Sequence, residues 1–200
     1  YAIFVMNADG TGVRQLTDMG LDVFDSPKWS PDSNKIAFWG APQDNPDLQI
    51  FVVNVDGGGV QQLTENVLLC AGLTAQTWSP DGERIVFASS HESDSEVFDA
   101  GSCEIFVMNA DGTGVQRLTH NQGASGDFWQ ETGLRYKDYW PAWSPDGNKI
   151  AFMSGRDGDY EIFVMDTEGA ALQQITDNDY PDKYPLWSPD GSKITFSGLP

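Results

Sequence analysis

The tetrapeptide Trp-Ser-Pro-Asp occurs four times, at positions 29–32, 78–81, 143–146 and 187–190. Each copy is followed a few residues later by Lys/Arg-Ile-x-Phe, at 35–38, 84–87, 149–152 and 193–196. A third motif, Ile-Phe-Val-x-Asn/Asp, stands at 3–7, 50–54, 105–109 and 162–166, and each copy runs into a Gly-bearing turn. Leu/Ile-Thr closes each block, at 16–17, 63–64, 118–119 and 175–176. Four blocks with the same motifs in the same order make an internal repeat, and a fixed repeat restricts the chain to stacked copies of one unit.

Each block reads as four short antiparallel strands. Strand a ends in Trp-Ser, b is Lys-Ile-Ala-Phe, c is Ile-Phe-Val-Met-Asn, and d ends in Leu-Thr. Ser-Pro-Asp-Gly between a and b suits a type I turn: Pro presets its first central residue, Asp caps its own backbone, and Gly takes the position hostile to a Cβ. In the first block Ser33 stands in the Gly place. Ala-Asp-Gly-Thr-Gly does similar work between c and d. Strand c is apolar on both faces, so it requires cover on both sides. Sheets stacked face to face around an axis supply that cover, and this repeat length suits propeller blades.

The full pattern, Pro-x-Trp-Ser-Pro-Asp-Gly, Lys-Ile-Ala-Phe, Glu-Ile-Phe-Val-Met-Asn-x-Asp-Gly and Leu-Thr, resembles the repeat of the TolB-like β-propeller family over nearly the whole chain. The resemblance implies an all-β propeller of four-stranded antiparallel blades. It also implies a periplasmic or secreted setting, and a protein or peptide as partner, as for adaptor modules. The family is functionally mixed, so the fold alone does not fix the activity.

Whole blades are expected at about 24–64, 72–119 and 138–176 of a single domain spanning 1–200. The chain starts in strand c and stops after strand b. Residues 182–200 and 1–17 are therefore complementary halves, able to close a split blade. Either the chain closes as four blades or it is an arc of a larger ring, completed by further sequence or by a second copy, so that monomer and homodimer both remain open. The chain begins at Tyr1, without an initiator Met or a leader, as a processed or excised chain would.

An up-and-down blade places the a–b and c–d turns on one face, and the b–c loops and d–a crossings on the other. The first set is short and uniform. The second set (18–28, 39–49, 65–77, 88–104, 120–142, 153–161 and 177–186) is long and irregular, and irregular loops on a rigid frame usually carry function. Charge divides the same way. The chain has 30 acids against 11 bases, a net charge of −19, and most of the acids fall in the long loops. That balance argues against nucleic acid, whose phosphates want Lys and Arg, and favours cationic partners. No apolar run is long enough for a membrane helix, so membrane insertion is not expected.

Partner contact is expected at Phe128, Trp129, Tyr136, Tyr139 and Trp140 of the 120–142 loop, with Tyr160 and Tyr180 beside them. Aromatic rings among acids suit a basic peptide, a stacked sugar, or a cation bridging two loops. The plainer alternative is that the rings pin long loops down while the acids keep the surface soluble. Calcium is the cofactor this donor set favours, with Asp157, Asp159 and Glu161, and Asp177, Asp179 and Asp182, as candidate ligands. Asp25, Asp138 and Asp182 precede the strand-a Trp by four or five residues and are candidates for a ring at the channel mouth. Cys70 and Cys103 lie in loops of one face and are expected to pair, as suits an oxidising compartment.

No enzyme pattern emerges. His91 and His120 are the only histidines and sit in no zinc motif. Gly123-Ala124-Ser125-Gly126 lacks the Gly-x-Ser-x-Gly elbow, and no phosphate loop is present. The chain is expected to be a non-catalytic binding scaffold. A calcium-dependent or carbohydrate-binding surface module, or the propeller segment of a larger enzyme, are the alternatives.

Overall fold

The structure is a computed structural model, which describes residues 1–18, 20–24, 27–43, 47–65, 67–68, 76–91, 103–120 and 137–199. The described residues contain strands and no helix. A first blade is formed by β3 (Leu21–Val23) and β4 (Lys28–Trp29), which both pair with β5 (Lys35–Pro42), followed by β6 (Gln49–Asn54) and β7 (Val60–Gln62). The second repeats this plan with β8 (Val67–Leu68) and β9 (Gln76–Trp78) on β10 (Arg84–His91), then β11 (Glu104–Asn109) and β12 (Gln116–Arg117). In the third, strand a is continuous: β13 (Asp138–Trp143), β14 (Lys149–Ser154), β15 (Glu161–Asp166) and β16 (Gln173–Gln174). Strand a of the first two blades is thus split, and its first piece starts earlier than the motif suggests. There β5 and β10 run on past their Phe and hold a second short partner.

Strand c is buried on both faces, as its sequence requires: Ile105, Phe106, Val107 and Met108 are all core residues, and so are Ile162 to Met165. Within each blade the b-strand Phe faces the c-strand Phe and their rings stack. Centroid distances are 5.8 Å for Phe38–Phe51, 5.7 Å for Phe87–Phe106 and 6.0 Å for Phe152–Phe163.

The Ser-Pro-Asp turns close by one hydrogen-bond scheme. Ser144 Oγ donates to Asp146 Oδ1 at 2.6 Å while accepting from the Lys149 amide at 2.9 Å, and Asp146 also accepts the Asn148 amide at 3.1 Å. The c–d turn lies against it on the same face, since the Ala110 amide donates to the Glu83 carbonyl at 2.8 Å and Val55 to Asn34 at 2.9 Å. The expected grouping of the a–b and c–d turns on one face is therefore seen among the described residues.

The Thr of Leu-Thr has a role the motif alone does not reveal. Thr64 Oγ1 accepts the Ile50 amide at 2.9 Å and donates to Gln49 Oε1 at 2.8 Å, locking the start of strand c to the end of strand d. Thr119 does the same with Ile105 and Glu104, and Thr176 with Ile162 and Glu161.

Neighbouring blades interlock at fixed points. The Trp78 indole donates to the Lys28 carbonyl of the blade before it, and Trp187 to that of Ala142, each at 3.1 Å. The a strands touch in series, β4 with β9, β9 with β13, and β13 with a further strand, β17 (Lys183–Trp187), so they form the inner wall. β17 pairs with β18 (Ile194–Ser197), and β1 (Phe4–Val5) pairs with β2 (Arg14–Gln15). These two half-blades remain separate two-stranded sheets, so the split blade is not closed within the chain. Ile3 and Leu16 pack on the first whole blade, and Ile194 on the third.

Candidate functional site

Strands β13 and β17 occupy the same place in successive blades, and both are interrupted. Their pairing registers shift between Tyr139 and Ala142 and between Lys183 and Leu186. At each bulge an aromatic residue followed by proline sits in the left-handed region, Trp140 at φ 53° and Tyr184 at φ 59°. Bulky side chains rarely take that conformation, and both bulges and such strain concentrate at working sites. The two strained residues meet: their rings pack edge to face at 4.9 Å and 87°. The Trp140 indole N–H is buried and has no acceptor among the described residues.

Around this pair the long-loop face carries a compact polar cluster. Asp138 is fully buried and takes the Arg156 Nη2 on Oδ2 at 3.0 Å, while its Oδ1 has no partner among the described residues. Arg156 is held by Ser154 Oγ at 2.8 Å from its Nε, and its guanidinium lies 4.7 Å from the Phe163 ring centroid. An arginine whose charge is matched on one side and stacked on the other is preorganised. Tyr139 and Tyr160 stand 6.2 Å apart, and Lys183 Nζ lies 5.5 Å from the Tyr160 ring centroid. Burial pushes both phenols up, Tyr139 aided by the neighbouring Tyr160 and Tyr160 by the Asp138 charge, so both stay protonated as donors.

Of the predicted contact residues, Tyr139, Trp140 and Tyr160 come together here, and Tyr180 is exposed on the same side. Phe128, Trp129 and Tyr136 lie outside the described residues, as do Asp25 and Cys70. Lys183, Tyr184 and Arg156 were not singled out from the sequence. The repeated aromatic-Pro-x-Trp at 140–143 and 184–187 was the available clue, because a residue before proline is conformationally restricted.

The acids expected to bind calcium do not assemble: among the described residues no group of three or more His, Cys, Asp or Glu is placed to hold a metal. Several of these carboxylates already serve the chain itself. Glu161 takes the Thr176 hydroxyl and, at 2.9 Å, the Asn178 amide. Asp182 takes Asn178 Nδ2 at 2.8 Å, and Asp157 takes Gln174 Nε2. Burial raises the Glu161 carboxyl against the pull of the Thr176 hydroxyl, and burial with the neighbouring Asp157 raises Asp159. Asp138, the first residue of β13, and Asp182, just before β17, do stand at matching distances from the strand-a Trp, but both are buried instead of lining an open mouth. Cys103 is buried, and no free cysteine occurs among the described residues.

Sequence comparison matches residues 1–133 and 124–198 to the TolB β-propeller domain. A TolB homolog of Chlorobium luteolum is 32% identical over 159 residues, which is 79% of this chain and 30% of that protein. Dipeptidyl-peptidase 5 of Porphyromonas gingivalis is 31% identical over 84 residues, 42% of this chain and 10% of that protein. The crystal structure of TolB from Acinetobacter baumannii superposes with a TM-score of 0.67 at 23% identity, covering 98% of this chain and 42% of that one. The chain spans less than a third of the length of the curated relatives it matches.

Proposed function

The chain belongs to the TolB β-propeller domain family, and from that premise we propose that it is a non-catalytic extracytoplasmic scaffold that docks a protein or peptide on its long-loop face. The observation that carries this reading is the touching pair of strained aromatics, Trp140 and Tyr184, on adjacent bulges of the inner wall. Holding two bulky residues in the left-handed region costs about 1–3 kcal/mol each, and a fold bears such strain where the side chain is needed in that direction. With Tyr184 and Tyr180 exposed and acids dominating the long loops, the surface suits a cationic peptide bearing an apolar or aromatic anchor.

Selection from a random peptide library displayed on phage tests this. The reading expects enrichment of Lys- and Arg-bearing peptides whose affinity falls with added salt and falls at least tenfold in Tyr184→Gly. No enrichment, or peptides indifferent to both salt and that substitution, would refute it.

The extracytoplasmic setting goes with a proposed Cys70–Cys103 bridge, supported by family membership and by the lack of a free cysteine among the described residues. An intact mass about 2 Da below that of the reduced chain is the expected result. A second reading has a specific observation behind it, since one relative is a dipeptidyl-peptidase of which this chain covers 10%. On that reading the propeller is one segment of a larger enzyme. A catalytic domain in the flanking sequence of the source protein would favour it.

A further inference from the structure

We infer that Asp157–Gly158, in the loop between β14 and β15, is a site of spontaneous isoaspartate formation, and that the fold protects every other Asp-Gly pair of the chain from the same reaction. The sequence holds seven such pairs. Asp9, Asp56 and Asp111 stand in c–d turns, Asp81, Asp146 and Asp190 in a–b turns, and Asp157 alone in a b–c loop. The reaction needs no enzyme. The glycine amide nitrogen attacks the aspartate Cγ, a C–N bond forms, and a carboxyl oxygen leaves as water, which gives a succinimide ring. Water then adds to the ring at the aspartate α-carbonyl and breaks the original peptide C–N bond. The chain is left joined through Cγ, with a free carboxylate on Cα. One water leaves and one enters, and nothing is oxidised or reduced. Glycine permits the approach because it has no Cβ. The carboxyl must be free to protonate and turn toward that nitrogen, and the amide must be free to give up its proton.

In six of the pairs both reacting groups are tied up. The carboxylate accepts the backbone amide two residues on. In the c–d turns Thr11 donates to Asp9 at 2.9 Å, Gly58 to Asp56 at 2.7 Å and Thr113 to Asp111 at 2.9 Å. In the a–b turns Glu83 donates to Asp81 at 3.0 Å, Asn148 to Asp146 at 3.1 Å and Ser192 to Asp190 at 3.0 Å. The glycine amide of each pair donates to the carbonyl three residues back, at 2.8–3.0 Å. A side-chain hydroxyl and then that backbone amide also hold the carboxyls of Asp9, Asp81, Asp111, Asp146 and Asp190 below the ordinary value, so the protonated, reactive form is scarce near neutral pH.

Asp157 escapes this clamp. Among the described residues its carboxylate accepts only the side-chain amide of Gln174, and no backbone amide. The Gly158 amide reaches the Gly155 carbonyl at 3.4 Å, the longest such contact of the seven pairs. Both residues are exposed. Gly158 has a φ of 126°, whereas the other six glycines lie between 70° and 91°, and nothing stands within 4 Å of where its Cβ would be. The ring therefore has room to close. The product adds one carbon to the main chain directly after Arg156, whose guanidinium holds the buried Asp138. The modification thus falls at the edge of the polar cluster.

Prolonged incubation of the intact, folded protein in heavy-oxygen water at neutral pH tests this, because each succinimide turnover leaves one heavy oxygen atom behind. Peptide mapping locates the label, and methyl transfer by an isoaspartyl methyltransferase identifies the product. The expected result is label and isoaspartate at Asp157 at least tenfold above any of the six clamped pairs. In the urea-unfolded chain the seven pairs should label at comparable rates, and Asp157→Glu, which does not close the same ring, should remove the signal from the folded protein. Equal labelling of all seven pairs in the folded state, no isoaspartate at Asp157, an excess at Asp157 that persists in urea, or a signal that survives Asp157→Glu would each overturn the proposal.

Discussion

Gly169 lies so close to the blade before it that a Cβ at this position would stand 2.5 Å from the Leu118 carbonyl oxygen, and its φ of 82° already disfavours a side chain. Gly169→Ala is therefore expected to destabilise by about 2–4 kcal/mol, from left-handed strain plus overpacking. Gly59 has a similar φ of 77° with nothing within 4 Å, so Gly59→Ala should lose only the backbone part, about 1–2 kcal/mol. Urea unfolding of both variants checks the difference, and equal losses would refute the blade-contact account.

Thr64→Val removes the acceptor of the Ile50 amide and the donor to Gln49 at once. The Ile50 amide is left buried without a partner, and a loss of about 1–3 kcal/mol is expected. Its exposed neighbour Glu65 makes a suitable control, with Glu65→Gln expected to change stability by less than about 0.5 kcal/mol. Chemical denaturation measures both.

Removing Arg156 while keeping Asp138 should be severe. Arg156→Met leaves a fully buried carboxylate without its cation, which costs about 3–5 kcal/mol. Asp138→Asn/Arg156→Met should recover much of that loss, because no charge is left uncompensated. Thermal melts of these two variants, of Asp138→Asn alone and of the wild type decide whether the pair is coupled.

Stability should vary with pH in two opposite ways. The turn carboxylates of Asp32, Asp81, Asp111, Asp146 and Asp190 are lowered by hydrogen bonds from neighbouring hydroxyls and amides, Asp190 to about 2. Their contribution is complete above the ordinary value of 3.8 and is lost as pH falls through the folded values. Glu161 and Asp159 are raised mainly by burial, so the folded state takes up their protons first and gains stability as pH falls through those raised values. Relief of self-repulsion at a net charge of −19 acts in the same direction. The melting temperature should thus rise as pH falls from 7 toward the ordinary carboxyl values of 4.5 and 3.8 and drop once pH falls below 3.8, and Glu161→Gln should flatten the rise.

Much of the frame was legible in the motifs. Strand c, the Ser-Pro-Asp turns and the separation of the two faces follow from residues that act within a few positions of themselves. The site was harder to read because its partners are distant. Nothing near Glu161 in the chain reveals that Thr176 occupies its carboxylate, so the acids at 157–182 suggested calcium where the fold uses several as internal acceptors. Arg156 reads as one more loop charge until the fold sets it against Asp138. Tyr184 was passed over because its importance lies in a backbone angle and in contact with Trp140, neither of which spacing encodes.

The strained aromatics allow a test that separates binding from folding. Tyr184→Gly relieves a left-handed φ and is expected to hold or raise stability by about 1 kcal/mol, at the expense of binding. The most direct measurement is the calorimetric affinity of one selected cationic peptide for Tyr184→Gly, on the long-loop face, and for Val115→Ser, beside a short turn on the opposite face. The account predicts at least a tenfold loss for the first and no change for the second; equal losses, or a loss confined to Val115→Ser, would contradict it.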